Sequence, residues 1–197
     1  MLSTGLVTSD DLDAIGRSIT KIDQPLEVAA ELVAAVDQRR VSDEADTGYA
    51  LMLAAELSER AGDLPSAAAL AGRAAEVSRL WGDPDIYPRG FRAEVLMRLG
   101  RTEEAMAELT SMRPLLTEDP DAASQVSCAL EAGGHAEIAE QWLTDALRTA
   151  LRHQREVGPS NERAAAVVVA LTQRRHELRR DRGLPHDEVA PTPDDGA

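Results

Sequence analysis

Three glycines, Gly62, Gly100 and Gly134, each head the same downstream pattern, and this recurrence limits the chain to a narrow set of folds. Five residues after each stands alanine (Ala67, Ala105, Ala139), nine after stands Ala71, Leu109 or Leu143, and twelve after stands Ala74, Met112 or Ala146. Seven residues before each, the position is again small: Ala55, Ala93 and Ser127. The glycines are 38 and 34 residues apart, and self-similarity near that period marks stacked pairs of helices. Two helices approach closely only where one offers a shallow surface, so small residues are needed at the crossing points while longer aliphatics fill the grooves. The glycine ends the first helix of each pair, because a residue without Cβ enters the left-handed conformation that closes a helical C-terminus.

The segments AELSERAGDLPSAAALAGRAA, AEVLMRLGRTEEAMAELTSM and SCALEAGGHAEIAEQWLTDA resemble the tetratricopeptide (TPR) family over roughly residues 46 to 153. The likeness rests on small residues and glycines more than on aromatics. Leu51, Arg89 and Ala123 stand where the family carries tryptophan or leucine, and Ser58, Leu96 and Leu130 where a tyrosine is common. The resemblance implies an all-α fold, a right-handed superhelical stack of antiparallel hairpins. Residues 1–42 are expected to form N-terminal capping helices, 43–157 three hairpins, 158–186 a C-terminal capping helix, and 187–197 a disordered tail.

Local signals refine these elements. Ser9 precedes a helical pattern at Leu12, Ile15, Ile19 and Ile22, and Pro25 opens another with Leu26, Val28, Leu32, Val33 and Val36. The hairpin helices are expected at 43–61, 64–80, 85–99, 102–115, 119–132 and 135–155, with Ser42 capping the first and with Pro84 and Pro120 breaking the chain after second helices. Ser160 is the expected cap of a last helix running to Gly183, its valine run read as helix because strong helix formers continue it. Leu184 and Pro185 complete a helix stop. The RRHELRRDRGLPHDE run faintly resembles the close of bacterial TPR proteins carrying a cysteine-rich SEC-C zinc module, but no cysteine follows Cys128.

Charge is uneven along the chain of 197 residues. Residues 1–61 carry net −7, 62–147 net −8, 148–182 net +5 and 183–197 net −4. So acidic a body disfavours nucleic acid, whose binding needs a positive surface to displace condensed counterions. The basic last helix reads as arginines solvating an outer face and favouring the helix's negative C-terminal end. An anchor for an acidic partner, or for a second copy in weak head-to-tail association, is the functional alternative. Without a basic-flanked apolar leader or a long apolar segment, a soluble cytoplasmic monomer or weak homodimer is expected, with no membrane contact. Lysine occurs once, at Lys21, among 21 basic residues, a bias attributed to a GC-rich bacterial genome.

The TPR resemblance also implies which first-helix residues face the concave groove: Tyr49, Met52, Glu56 and Glu59, then Tyr87, Glu94, Met97 and Arg98, then Ser124, Cys128 and Glu131. Such a groove is acidic and partly apolar. Chaperone-adaptor TPRs hold a terminal carboxylate with lysine and asparagine, and this chain places Met52 and Glu56 at those positions. The expected partner is therefore a peptide or helix with basic and apolar residues, docked among Tyr49, Met52 and Met97. A small-peptide-sensing regulatory domain and an accessory subunit of an enzyme are the alternatives. No catalytic residue, cofactor or metal is expected. Cys128, Glu131 and His135 fall close together but read as core and surface, and His153, His176 and His186 lack the spacing of paired ligands.

Overall fold

The computed structural model describes residues 5–82, 85–158 and 160–185. Pro84, His186 and the expected tail at 187–197 lie outside the described residues. Among the described residues every named element is helical: α1 Ser9–Ser18, α2 Pro25–Asp37, α3 Thr47–Arg60, α4 Leu64–Trp81, α5 Ile86–Arg98, α6 Thr102–Met112, α7 Pro120–Ala132, α8 Ala136–Val157 and α9 Glu162–Asp181. A single parallel bridge joins Val7 to Val41. No described helix is long and apolar enough to cross a membrane.

The helices form two compact units, Met1–Ala105 and Met106–Ala197, so the division falls inside α6 and within the segment 43–157. In the first unit α3 packs between α2 and α4, α4 packs on α5, and α1 lies against α3. Leu12, Ala29, Leu32, Ala35, Ala50, Leu53, Ala54 and Leu57 form one buried cluster with Val7. In the second unit α7, α8 and α9 pack against one another.

The recurring glycines occupy equivalent turns. Gly62, Gly100 and Gly134 have φ of +83°, +73° and +76°. In each turn the next residue's amide donates to a carbonyl five positions back: Asp63 to Ser58 (2.9 Å), Arg101 to Leu96 (2.9 Å) and His135 to Leu130 (2.8 Å). That bond satisfies a carbonyl orphaned at the helix end and requires the left-handed residue before it. The small positions lie in the interior: Ala55, Ala67, Ala93, Ala105, Ser127 and Ala139 are all fully buried or within 1% of it. Gly183 (φ +66°) repeats the turn, with Leu184 donating to Arg179.

Helix starts differ from expectation at three places. Ser9 begins α1 rather than preceding it, and Thr8 is the cap, its hydroxyl accepting from the Asp11 amide while the Asp11 carboxylate accepts from the Thr8 amide. Ser42 does not stand at the start of α3: Asp43 caps a short 3-10 turn by accepting from the Ala45 amide, and α3 starts only at Thr47. Asn161 rather than Ser160 caps α9, since its amide oxygen stands three residues before the Ala164 amide that it accepts from at 3.0 Å. Pro120 opens α7 as its first residue, with Asp119 as the cap.

Candidate functional site

α3 and α5 bring six of the expected groove residues to one face of the first unit. The Tyr87 hydroxyl donates to Glu56 Oε1 at 2.6 Å, and Arg98 pairs with Glu59. These contacts join residues more than thirty positions apart, one tying the first turn of α5 and the other its last residue to the C-terminal half of α3. Tyr87 and Phe91 stack tilted, with ring centroids 6.4 Å apart. Tyr49 and Tyr87 remain 41% and 46% exposed, so each ring offers apolar surface beside the carboxylates.

Burial shapes the charge of this face. It raises the Glu56 carboxyl above its ordinary range, an effect opposed by the Tyr87 hydrogen bond and reinforced by Glu59. Burial likewise raises Glu94, which feels the repulsion of Glu59 and the attraction of Arg98. The Tyr49 phenol is raised by burial and by the nearby Asp13 and Glu56, and that of Tyr87 by burial and its bond to Glu56. Three carboxylates thus share a partly dehydrated surface, and a cation placed there relieves both their repulsion and their lost hydration.

Two expected members do not contribute side-chain surface. Met52 and Met97 are only 4% and 6% exposed, so neither offers its thioether to a docked segment. Both lie on helices whose buried stripe is wide, with Leu51, Met52 and Leu53 all buried in α3 and Val95, Leu96 and Met97 in α5. The apolar part of the face comes from the tyrosines instead.

In the second unit the expected groove residues meet the protein's own last helix. Arg174 of α9 pairs with Glu131, donates to the Ser127 hydroxyl, and lies 3.6 Å from Cys128 Sγ. Ser124 is exposed, 4.0 Å from Cys128 through its hydroxyl. Two of the expected groove residues, Cys128 and Glu131, are thus engaged from within the chain, which corrects their expected place on an open groove.

Arg174, Arg175 and Arg179 of α9, with Arg182 just beyond its end, turn inward rather than solvating an outer face. Arg179 and Arg182 both bond Glu140, Arg182 at 2.6 Å, and Arg175 is 7% exposed with its Nε donating to the Thr144 hydroxyl at 2.8 Å. Arg180, with its side chain 67% exposed, keeps the solvated placement. Sequence spacing could not reveal these pairs, because their partners lie 31 to 47 positions away on other helices.

The remaining candidates stay apart. His135 is half-buried at the α7–α8 turn, His153 stands 4.0 Å from Glu156, and His176 is exposed on α9. Among the described residues no group of three His, Cys, Asp or Glu side chains is placed to hold a metal ion. Arg113 lies over the Trp142 ring at 5.1 Å and pairs with Asp145 at 3.3 Å, a surface clamp between the segment after α6 and α8. Compared with protein-family models, with curated proteins and with solved structures, the chain matches none.

Proposed function

We propose that the chain is a cytoplasmic protein-interaction module of TPR-like hairpins, whose α3–α5 face binds a peptide or helix carrying basic and apolar residues. The observation that carries this reading is the pairing of two half-exposed tyrosine rings with Glu56, Glu59 and Glu94 on one face. Tyrosine supplies rigid contact area at small entropic cost, and desolvated carboxylates reward a complementary charge more than solvated ones do. A helix or extended segment can lay apolar side chains against the rings while an arginine or lysine reaches the carboxylates. The contacts of such a partner replace those expected from Met52 and Met97.

Selection from a random peptide library on the wild-type protein tests the proposal. Recovered peptides should combine arginine or lysine with leucine, methionine or aromatic residues, and should raise the apparent melting temperature. The double variant Glu56→Arg, Glu94→Arg should lose their binding by at least about tenfold, roughly 1.4 kcal/mol. Acidic winners, or unchanged affinity in the double variant, would reject this face as the binding surface.

A further inference from the structure

The outer face of α8 is a second exposed surface, opposite in charge to the α3–α5 face. Arg148, Arg152 and Arg155 are exposed and recur at intervals of four and three residues, which sets them on one stripe of the helix, away from the buried Leu143, Ala146, Leu147 and Ala150. Arg148 leans on Asp145 at 3.6 Å. Arg152 and Arg155 meet no carboxylate among the described residues. Arg152 donates to the Thr149 hydroxyl at 3.3 Å and Arg155 to the Leu151 carbonyl at 3.4 Å, both within their own helix. A guanidinium carries several N–H donors in a fixed fork, so most of each group remains open to a partner.

On the α3–α5 face the shortage is of cations. Glu59 has its guanidinium in Arg98, whereas Glu56 is bonded to the neutral Tyr87 phenol, and Glu94 feels the attraction of Arg98 without a hydrogen-bond donor among the described residues. Both carboxylates are half-buried, so a charge that reaches them is screened less than one in open water. The spans of the two surfaces also agree. Arg148 and Arg155 are seven residues apart, as are Tyr49 and Glu56 in α3 and Tyr87 and Glu94 in α5, which is roughly 10 Å along a helix in each case. A helix with this stripe can set guanidinium groups on the carboxylates while their planes and methylene stems cover the Tyr49 and Tyr87 rings.

We propose that the segment bound by the α3–α5 face is α8 of a second copy of this chain, with Arg152 and Arg155 reaching Glu56 and Glu94. The proposal rests on the reading of that face as a binding surface and names its partner. The two surfaces differ, so the contact is heterologous, and a copy with one surface disabled still offers the other. A net charge of −14 opposes the approach of two copies. At about 0.15 M salt that repulsion is screened beyond roughly 8 Å, while half-buried pairs in contact are screened much less.

Sedimentation equilibrium of the full-length protein in such salt tests it with two charge-reversed variants, Glu56→Arg with Glu94→Arg and Arg152→Glu with Arg155→Glu. The wild type should gain mass with concentration below about 1 mM, and each variant alone should associate at least about tenfold more weakly. Arg152 and Arg155 are exposed, so loss in their variant reports the contact rather than the fold. An equimolar mixture of the two variants should associate again, because the reversed α8 of one then meets the reversed face of the other, and that recovery requires both to be folded. A wild type that stays monomeric, an arginine variant that associates as the wild type does, or a mixture no stronger than its components overturns the proposal. If the wild type stays monomeric yet binds the selected library peptides, and the Glu56→Arg, Glu94→Arg variant does not, the face remains a binding surface and only its assignment to a second copy fails.

Discussion

Replacing Gly62 or Gly134 by alanine isolates the backbone contribution of the recurring turn. A Cβ at either position meets no atom within 4 Å, so neither crowding nor new packing enters the balance. The cost comes from φ alone, +83° at Gly62 and +76° at Gly134, where an ordinary L-residue is disfavoured by roughly 1–2 kcal/mol. Alanine also stiffens the unfolded chain, which returns about 0.4–1 kcal/mol. The net loss is therefore about 1 kcal/mol per turn, a fall of roughly 2–4 °C in melting temperature for a chain of this size. Asparagine, which tolerates the left-handed region, should recover most of the loss at both sites. Thermal unfolding followed by far-UV circular dichroism, with alanine and asparagine compared at each site, provides the measurement. An alanine variant as stable as wild type, or an asparagine variant as unstable as alanine, would refute the assignment of these glycines to a strained helix-ending turn.

Two further outcomes follow from the electrostatics. Arg174→Ala should lower stability by about 1–3 kcal/mol in urea unfolding, because it leaves Glu131 and Ser127 without their donor in a partly buried setting, while Arg180→Ala should change it by less than about 0.5 kcal/mol. The raised carboxyls of Glu56 and Glu94 set a pH dependence of definite sign. Above their folded-state values both are charged in the folded and unfolded chain, and the folded state carries the penalty of burying that charge. As pH falls through those values the folded state takes up protons first, so their penalty shrinks until the unfolded chain protonates as well. The Glu56→Gln, Glu94→Gln variant should accordingly gain more in melting temperature at pH near neutrality than at a pH below the ordinary carboxyl range. An equal gain at both would contradict the burial of these groups.

What the sequence made legible was the local part of the architecture. Gly62, Gly100 and Gly134 could be placed because one backbone conformation serves one purpose in all three turns, and Ala55, Ala93 and Ser127 because close helix packing admits little else. The valine run of α9 was readable as helix from its neighbours. Caps were less legible: Thr8 and Ser9, or Ser160 and Asn161, are adjacent residues of similar chemistry, and only the position of the third amide ahead chooses between them. The site was legible in its carboxylates and tyrosines but not in its methionines. Spacing indicates which side of α3 or α5 faces a neighbour, but the width of the buried stripe depends on how many helices lean against it, and that width took in Met52 and Met97. The inward-turned arginines were illegible for a related reason. A run of positive charge looks the same in sequence whether it meets water or glutamates more than forty residues upstream, as Arg174 meets Glu131.

The guanidinium of Arg174 rests on Cys128, which carries the protein's lone thiol. A half-buried sulfur that an arginine of a neighbouring helix touches reacts faster with a thiol reagent when that helix loosens. The chain thus contains its own gauge of how often α9 parts from α7. Its rate of modification therefore rises as the α7–α9 packing weakens, with no residue altered.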